Sequence, residues 1–373
     1  MPEDSLPPQG ALIHCIQVGG GAAPMSLVSR LRRLLLPCLV ALGVLLVGLG
    51  SLQPELVPAL KTIRKGTWAP LPVPPAGAQV VTVGLYAQSI YDLDLSSNTF
   101  YADVYVWLRW KGPIDPSASI EFANMVEEWG KLQEPLNEPV KTLLDGSSYQ
   151  IFRVEGRFVQ PFTLADYPLD RHTLSLQIED TIHGVDQLTY AIDRASSGVS
   201  KNFQIPGWQM AGWKAEVLEH SYGTNFGDPG QASAYAAAVF DIIVRRPTSF
   251  FLTKLFLPLL IVVTAALIAL LVHPRAIDAR LALPLGSLLS AIFLQKSYTD
   301  TLPDLGYLIL MDRIYLLAYP LILAVLVRAI WSFLTLQSAD EECFASIRRG
   351  DRIVLKLLLL SFASGTTVLL VLR

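Results

Sequence analysis

Hydrophobic positions follow two patterns along the chain, and the pattern changes near residue 248. Before this point, apolar residues recur at alternate positions in FYADVYVWLRW (100–110) and HTLSLQI (172–178), and AYAAAVFDIIVRR (234–246) is a further candidate strand. A period of two is typical of a half-buried β-strand. Several such runs, punctuated by Gly, Pro and Asp and without a comparable helical run, predict an antiparallel β-sandwich.

After this point, long apolar runs replace the alternation. They cover residues 250–272, 281–298, 306–333 and 353–372. Each is close to the roughly 20 residues that a helix needs to cross a bilayer, so the sequence predicts four spans. The loop at 299–305 carries only aspartates as charged residues. The connection between the first two runs instead carries Arg275 and Arg280, and the connection between the last two carries Arg328, Arg348, Arg349 and Arg352. Basic loops lie inside, which places the β-sandwich outside the cell or in the periplasm and the protein in the cell (inner) membrane.

A further apolar run, 34–52, follows Arg30, Arg32 and Arg33. A basic segment before an apolar one is typical of a secretory signal, and the run is also nearly long enough for a retained anchor. Both interpretations stay open, as does Met25 as the true start. The expected organisation is an N-terminal extension with signal or anchor (1–53), a Pro-rich linker (54–78), a β-sandwich ligand-binding domain (79–247) and a four-helix pore domain (248–373).

Composition agrees with a membrane protein that has one water-exposed domain. Of the 373 residues, 52% are hydrophobic and 16% are charged, which is more apolar than an ordinary soluble protein. The net charge of −3 and the lack of a basic patch argue against nucleic acid as a partner. The three cysteines, Cys15, Cys38 and Cys343, all lie outside 79–247, so no disulfide holds the predicted sandwich.

The second apolar run is unusual because it contains Pro284, Gln295 and Lys296. At about 100° per residue, one narrow stripe of this helix is charged at both ends and apolar in the middle. Its members are Asp278, Ala282, Leu289, Phe293, Lys296 and Asp300, with Gly286 at its edge. Such a face is costly against lipid and suits water or protein. The alternative is a helix packed in the interior, whose small residues let neighbours approach.

These features together resemble the pentameric ligand-gated ion channels (Cys-loop receptor superfamily) in their short bacterial form, over about residues 79–373. One stretch, QPFTLADYPLDRHTL (160–174), resembles the loop that names the superfamily, although Gln160 and Leu174 replace its two cysteines. Two others resemble the entry to the first membrane helix, RRPTSFFLTKLFLP (245–258), and the pore helix with its following turn, ARLALPLGSLLSAIFLQKSYTDTLPDLG (279–306).

The resemblance implies a homopentamer in the lipid bilayer, in which each subunit has an outer β-sandwich and four helices and the second helix lines the pore. The stripe then becomes the pore wall. Leu289 falls at the hydrophobic gate of the family, where an apolar ring blocks ions by dewetting, and Phe293 narrows the same barrier. Asp278 forms an inner ring of carboxylates that favours cations, whereas Lys296 opposes cations unless Asp300 offsets it. A cation-selective channel for inorganic ions is therefore expected.

The resemblance also implies how the sandwich acts on the pore. Tyr167, Pro168 and Asp170 form the core of the loop that faces the membrane, and Asp170 is expected to make a charge-assisted pair with Arg246. This pair, with Pro303 of the turn after the pore helix, would transmit a rearrangement to the gate. The alternative is that the Asp170–Arg246 pair only holds two domains together.

The stimulus is less defined by the sequence. The family binds small-molecule agonists between subunits, and the candidate residues here are Trp129, Thr181, His183, Tyr222 and Phe226. An aromatic cage suits a cationic amine through cation–π attraction. The alternative stimulus is protons, because His172, His183 and His220 titrate in the relevant range.

Two competing hypotheses are weaker. A non-conducting membrane-anchored sensor would need an inner effector domain, but the expected inner loop is only residues 335–351. A hydrolase using His172, Glu179, Asp180 and His183 is disfavoured because alternation turns Glu179 away from His172 and Asp180. A metal site at His172 and His183 lacks a third ligand at a suitable spacing. We therefore expect no enzyme activity, no catalytic residues, no metal and no cofactor.

Overall fold

The structure of the chain is a computed structural model, which describes residues 68–127, 132–227, 233–336 and 341–372. The chain divides into two compact units. Among the described residues, the sheet unit comprises those from 68 to 164 and from 169 to 248, and the helix unit comprises Ala165–Pro168 and those from Ser249 onward. The expected signal or anchor (1–53), the first part of the expected linker (54–67) and Trp129 lie outside the described residues.

The sheet unit contains two sheets in its described part, and three strands match the alternating runs of the sequence. The strands are β1 (Trp68–Pro70), β2 (Gln79–Asp94), β3 (Thr99–Trp110), β4 (Ile120–Phe122), β5 (Met125–Val126), β6 (Leu132–Pro135), β7 (Lys141–Thr142), β8 (Ser148–Val159), β9 (Arg171–Asp180), β10 (Leu188–Ile192), β11 (Gly198–Val199), β12 (Gln209–Ser221) and β13 (Ala234–Arg245). One sheet has the order β1-β12-β13-β9-β4, and the other has β10-β2-β3-β8-β5, with β11 beside β2 and with β6 and β7 beside β8.

The predicted β-sandwich is confirmed, with two differences. The pairs β10–β2 and β11–β2 are parallel, so the sandwich is not wholly antiparallel. Parallel pairing is possible here because β10 follows a strand of the other sheet. No hairpin joins β10 to β2, and a hairpin would require the antiparallel direction. In addition, part of the expected linker forms β1, which pairs with β12. β1 occupies the edge of β12 that does not pair with β13, and an edge strand tolerates Pro70.

One apolar core lies between the two sheets. The alternating residues of β3 and β9 are its centre, and Val104, Leu108 and Leu176 are completely buried. Each such side chain contributes about 1.5–3 kcal/mol relative to an exposed position. Phe158 of one sheet contacts Phe122 of the other at 5.4 Å between ring centroids, which links the sheets directly.

The helix unit contains four helices that are long and apolar enough to cross a membrane, so the expected number of spans is confirmed among the described residues. They are α1 (Thr248–Ile268), α2 (Ile277–Thr299), α3 (Leu310–Leu336) and α4 (Glu341–Val371). The helix α4 begins at Glu341, 12 residues before the predicted span, and the additional turns contain the buried Asp351. The chain is a multi-pass membrane protein.

Candidate functional site

The helix α2 has one packed face and one exposed face. The packed face consists of residues that are all buried within the helix unit, namely Arg280, Pro284, Ser287, Ala291 and Tyr298. At about 100° per residue, these positions lie on the opposite side of the helix from the stripe found in the sequence. Every member of the stripe is exposed in the single chain: Asp278, Ala282, Gly286, Leu289, Phe293, Lys296 and Asp300.

The apolar middle of this stripe is strongly exposed. Leu289 is 55% exposed and Phe293 is 64% exposed, although both are large apolar residues. At the outer end, the Lys296 ammonium pairs with the Asp300 carboxylate one turn away. The stripe therefore presents the Asp278 carboxylate, for which the described residues provide no ion pair, then an apolar middle, and then the ion pair of Lys296 with Asp300.

Hydrogen bonds hold the packed face of α2 against α3. The Tyr298 hydroxyl donates to Asp312 Oδ1 at 2.6 Å, and Asp312 Oδ2 accepts from the backbone N–H of Ile309 at 3.2 Å. Gln295 Oε1 accepts from the Tyr319 hydroxyl at 2.5 Å. These contacts fix the rotation of α2 about its axis, and so fix which residues form the exposed stripe.

The expected pair between Asp170 and Arg246 is present. Arg246 Nε donates to Asp170 Oδ1 at 2.8 Å, and the Arg246 N–H donates to the Asp170 carbonyl at 3.2 Å. A partner that sequence reasoning missed is His172, whose Nε2 lies 2.7 Å from Asp170 Oδ2. Trp208 completes the cluster, because the Arg246 guanidinium lies 4.3 Å from its ring centroid and the His172 ring 5.1 Å away.

This cluster lies within the sheet unit, since Leu169–Thr248 belongs to it. Within this unit the pair joins the start of β9 to the end of β13. The neighbouring residues Tyr167 and Pro168 belong to the helix unit, where the Tyr167 ring lies 6.3 Å from the Tyr298 ring. Pro303 lies half-buried in the loop between α2 and α3.

Three of the five candidate ligand residues meet in one cleft of the sheet unit. Thr181, Tyr222 and Phe226 line a cavity of about 410 Å³. His183 is not among the lining residues and has its Nδ1 2.9 Å from Asp180 Oδ1, and Trp129 is outside the described residues. The remaining lining residues are three carboxylates and a tyrosine: Glu121, Glu179, Asp180 and Tyr235.

Glu179 is the centre of the hydrogen bonds around this cleft. Its carboxylate is 1% exposed and accepts from the Tyr222 hydroxyl at 2.9 Å, and His220 Nδ1 lies 2.7 Å from its other oxygen. Burial and the charge of Glu179 raise the pKa of Tyr222. The Trp68 ring of β1 stacks on His220 at 3.9 Å between centroids, so the edge strand supports the cleft.

Asp180 is held separately from Glu179. It accepts from the Ser119 hydroxyl at 2.5 Å and from the backbone N–H of His183 at 2.7 Å. The serine and the histidine both contact the carboxylate rather than one another, which is not the arrangement of a nucleophile and its base. Tyr190 lies nearby with a buried hydroxyl, and burial followed by the charges of Asp180 and Glu179 raises its pKa well above the usual value.

Sequence reasoning missed the roles of Glu121, Glu179 and Tyr235 in this cleft. The signal was present, because Glu179 and Asp180 end an otherwise apolar alternation (IED), and carboxylates at the end of a buried strand need partners. His172, His183 and His220 each contact a different carboxylate, at Asp170, Asp180 and Glu179 respectively. The two histidines of the metal hypothesis are thus held apart by separate partners.

Comparison with known proteins adds two relatives, and no family model matches the sequence. A proton-gated ion channel from Gloeobacter violaceus is 22% identical over 306 residues, which cover 76% of this chain and 81% of the relative. A glutamate-gated chloride channel from Drosophila melanogaster is 22% identical over 172 residues, 46% of this chain and 36% of the relative. With two sheets around one core and four apolar helices, the chain is similar to these ion channels at weak identity, and the resemblance to the pentameric ligand-gated ion channels of the Cys-loop receptor superfamily is confirmed at that level.

Proposed function

We propose that five copies of the chain form a ligand-gated, cation-selective ion channel in which α2 lines the pore. The observation that carries the proposal is the exposed stripe of α2, which lies opposite the face packed in the helix unit. A span that exposes charged ends and small residues is costly in lipid and suits a water-filled path. Both relatives are ion channels, one gated by protons and one by glutamate.

The gate of this channel is the apolar middle of the stripe. In a ring of five subunits, Leu289 and Phe293 would form two adjacent apolar constrictions, and such constrictions stop ions by excluding water. A rearrangement of the sheet unit opens them. The gating residues in this proposal are Asp170 and Arg246 of the sheet unit, Tyr167 and Pro168 of the helix unit, and Pro303 of the loop after α2.

Cation selectivity follows from the charges along the stripe. Each subunit contributes Asp278, Lys296 and Asp300, a net charge of −1 (−1 + 1 − 1 = −1). The pairing of Lys296 with Asp300 leaves Asp278 as the charge without an opposing partner on this face. Rings of carboxylates favour cations. Because one relative is a chloride channel, this assignment rests on the charges of the chain and not on the relatives.

The cleft of the sheet unit is the proposed site of the stimulus. Three carboxylates line it with the rings of Tyr222, Phe226 and Tyr235. A negatively charged aromatic site favours a cation, either an organic amine or a proton. An acidic stimulus such as glutamate would meet charge repulsion there.

The test needs no agonist, because it acts on the gate. The variant Leu289→Ala removes most of the apolar bulk of the ring and should raise the resting current of oocytes in a sodium chloride gradient. The matched control is Leu288→Ala, the same change at a half-buried position away from the stripe. Surface delivery of each variant is measured by biotinylation, so that a missing current is not confused with missing protein.

A large resting current in Leu289→Ala alone, reversing near the sodium potential, is the expected result. Equal currents from the two variants would reject α2 as the pore helix in the proposed orientation. No current from either, with protein at the surface, would favour the non-conducting sensor. Once the gate is established, steps of pH and a series of primary and quaternary amines identify the stimulus.

A further inference from the structure

A buried cluster of charges joins the helices at the inner end of α2. Arg280 lies on the packed face of α2 and is 0% exposed, and Asp351 of α4 is 1% exposed. Arg280 Nη2 donates to Asp351 Oδ2 at 2.7 Å. The other oxygen of Asp351 accepts from Arg328 Nε of α3 at 2.7 Å and from the Ser332 hydroxyl at 3.1 Å. One carboxylate thus holds two guanidinium groups.

Arg280 also joins α1 to this cluster. Its Nε donates to the carbonyl oxygen of Ala269, at the end of α1, at 3.1 Å. A cation at the C-terminal end of α1 is favourable, but the same cation lies in the first turn of α2, where the helix dipole disfavours it. Arg280 Nη1 has no hydrogen-bond partner in the part of the chain that the structure describes. Asp351 is therefore the main compensation for the Arg280 charge.

Arg280 lies two positions after Asp278, the residue proposed to form the inner ring of carboxylates. Its charge is opposite to that of Asp278, and its side chain is long enough to reach water at the inner end of α2 if it is released. In the cluster the guanidinium is instead buried on the opposite side of the helix. With α2 lining the pore as proposed, a guanidinium released from the cluster would offset the Asp278 charge at the inner mouth.

We propose that Asp351 of the fourth helix is a specificity-determining residue of the channel. It keeps the Arg280 charge inside the helix unit, so that Asp278 alone sets the charge at the inner mouth. Arg328 and Ser332 position the Asp351 carboxylate for this role. The space around Arg328 is tight, since a Cβ at Gly350 would lie 2.7 Å from its Nη2. This inference rests on the proposed function of α2 as the pore helix.

The test compares Asp351→Asn with its parent in a Leu289→Ala background, where current flows without an agonist. An asparagine keeps the shape and an acceptor for Arg328, but it no longer neutralises Arg280. The released guanidinium should reduce the preference for cations and move the reversal potential in a sodium chloride gradient toward the chloride potential. The expected shift is at least half of the shift produced by Asp278→Asn, recorded in parallel.

A double variant separates charge from structure. Asp351→Asn alone leaves the Arg280 guanidinium without its carboxylate partner. Adding Arg280→Met removes this guanidinium, so the reversal potential of the double variant should return to that of the parent. A purely structural role predicts no recovery of selectivity in the double variant. An unchanged reversal potential in Asp351→Asn, with current and surface protein intact, would overturn the inference.

A chemical measurement keeps the inference testable without current. Phenylglyoxal modifies guanidinium groups that are in contact with water, and it is applied to inside-out vesicles of the full chain before mass spectrometry. Arg280 should resist modification in the wild-type chain and react in Asp351→Asn, while Arg352, which is exposed in both, reports equal reagent access. Protection of Arg280 in both chains would reject its release. A third outcome would reject the proposed function instead of this inference. In that outcome, Arg280 reacts with phenylglyoxal in Asp351→Asn, but Leu289→Ala carries no current.

Discussion

The cluster around Asp170 gives the most direct energetic prediction. Asp170 is 2% exposed and contacts Arg246 Nε at 2.8 Å and His172 Nε2 at 2.7 Å. Asp170→Asn keeps the shape of the side chain and one acceptor, but it removes the buried negative charge that compensates the partly buried Arg246 guanidinium. Losing a buried charge-assisted bond in this way costs about 2 kcal/mol. For a unit of this size, that loss lowers the midpoint of thermal unfolding by about 4–8 °C.

The assay is thermal unfolding of the purified full chain in detergent, followed by tryptophan fluorescence, since Trp208 lies against Arg246. The control is Asp92→Asn, which removes the carboxylate of an exposed pair with Arg157 at 3.3 Å, where Asp92 is 58% exposed. Exposed pairs contribute little, so the control should unfold like the wild type. Equal midpoints for the two variants would refute the argument that the Asp170 pair stabilises the sheet unit.

The same variant separates the two roles of the pair. If Asp170 and Arg246 also transmit gating, the response to a stimulus should fall in Asp170→Asn even below the unfolding temperature. A variant that unfolds earlier but opens normally would limit the pair to holding β9 against β13. His172→Gln tests the contribution of the His172 ring, which the sequence did not indicate. A glutamine can still donate a hydrogen bond to Asp170 but has no imidazole ring.

Two further predictions concern the proposed pore and cleft. Asp278→Asn should move the reversal potential toward the chloride potential. Asp300→Asn should lower the sodium conductance, because it frees the Lys296 ammonium from its partner. If neither variant changes its measured quantity, the selectivity filter lies elsewhere. Tyr222→Phe removes the hydrogen bond to buried Glu179, so it should weaken the response to amines or acid by about 5–10-fold, as the loss of one bond of about 1–1.5 kcal/mol implies. Tyr91→Phe, which removes an exposed bond to Glu155, is its control and should leave the concentration of half-maximal response unchanged.

Local patterns in the sequence determined which strand residues form the core, how many helices span the membrane and which residues form the stripe on α2. Alternation in β3 and β9 fixed which residues enter the core, because side chains of a strand point to opposite faces in turn. Length and hydrophobicity predicted the number of spans, because the bilayer sets both. The stripe on α2 was also visible, since the helical period places Asp278, Leu289 and Phe293 on one face whatever surrounds them.

Other features depended on contacts between distant parts of the chain. The sequence placed Asp170 beside Arg246 by resemblance, but it gave no sign that His172 joins them. Arg280 and Asp351 are 71 positions apart, and the pairing of Trp68 with His220 spans an even longer separation. A buried charge needs a partner of opposite sign. The sequence alone contains many carboxylates that could serve as this partner and does not distinguish among them. Only packing of the helices and pairing of the strands selected which carboxylate each cation meets, because burial and distance are properties of the folded chain.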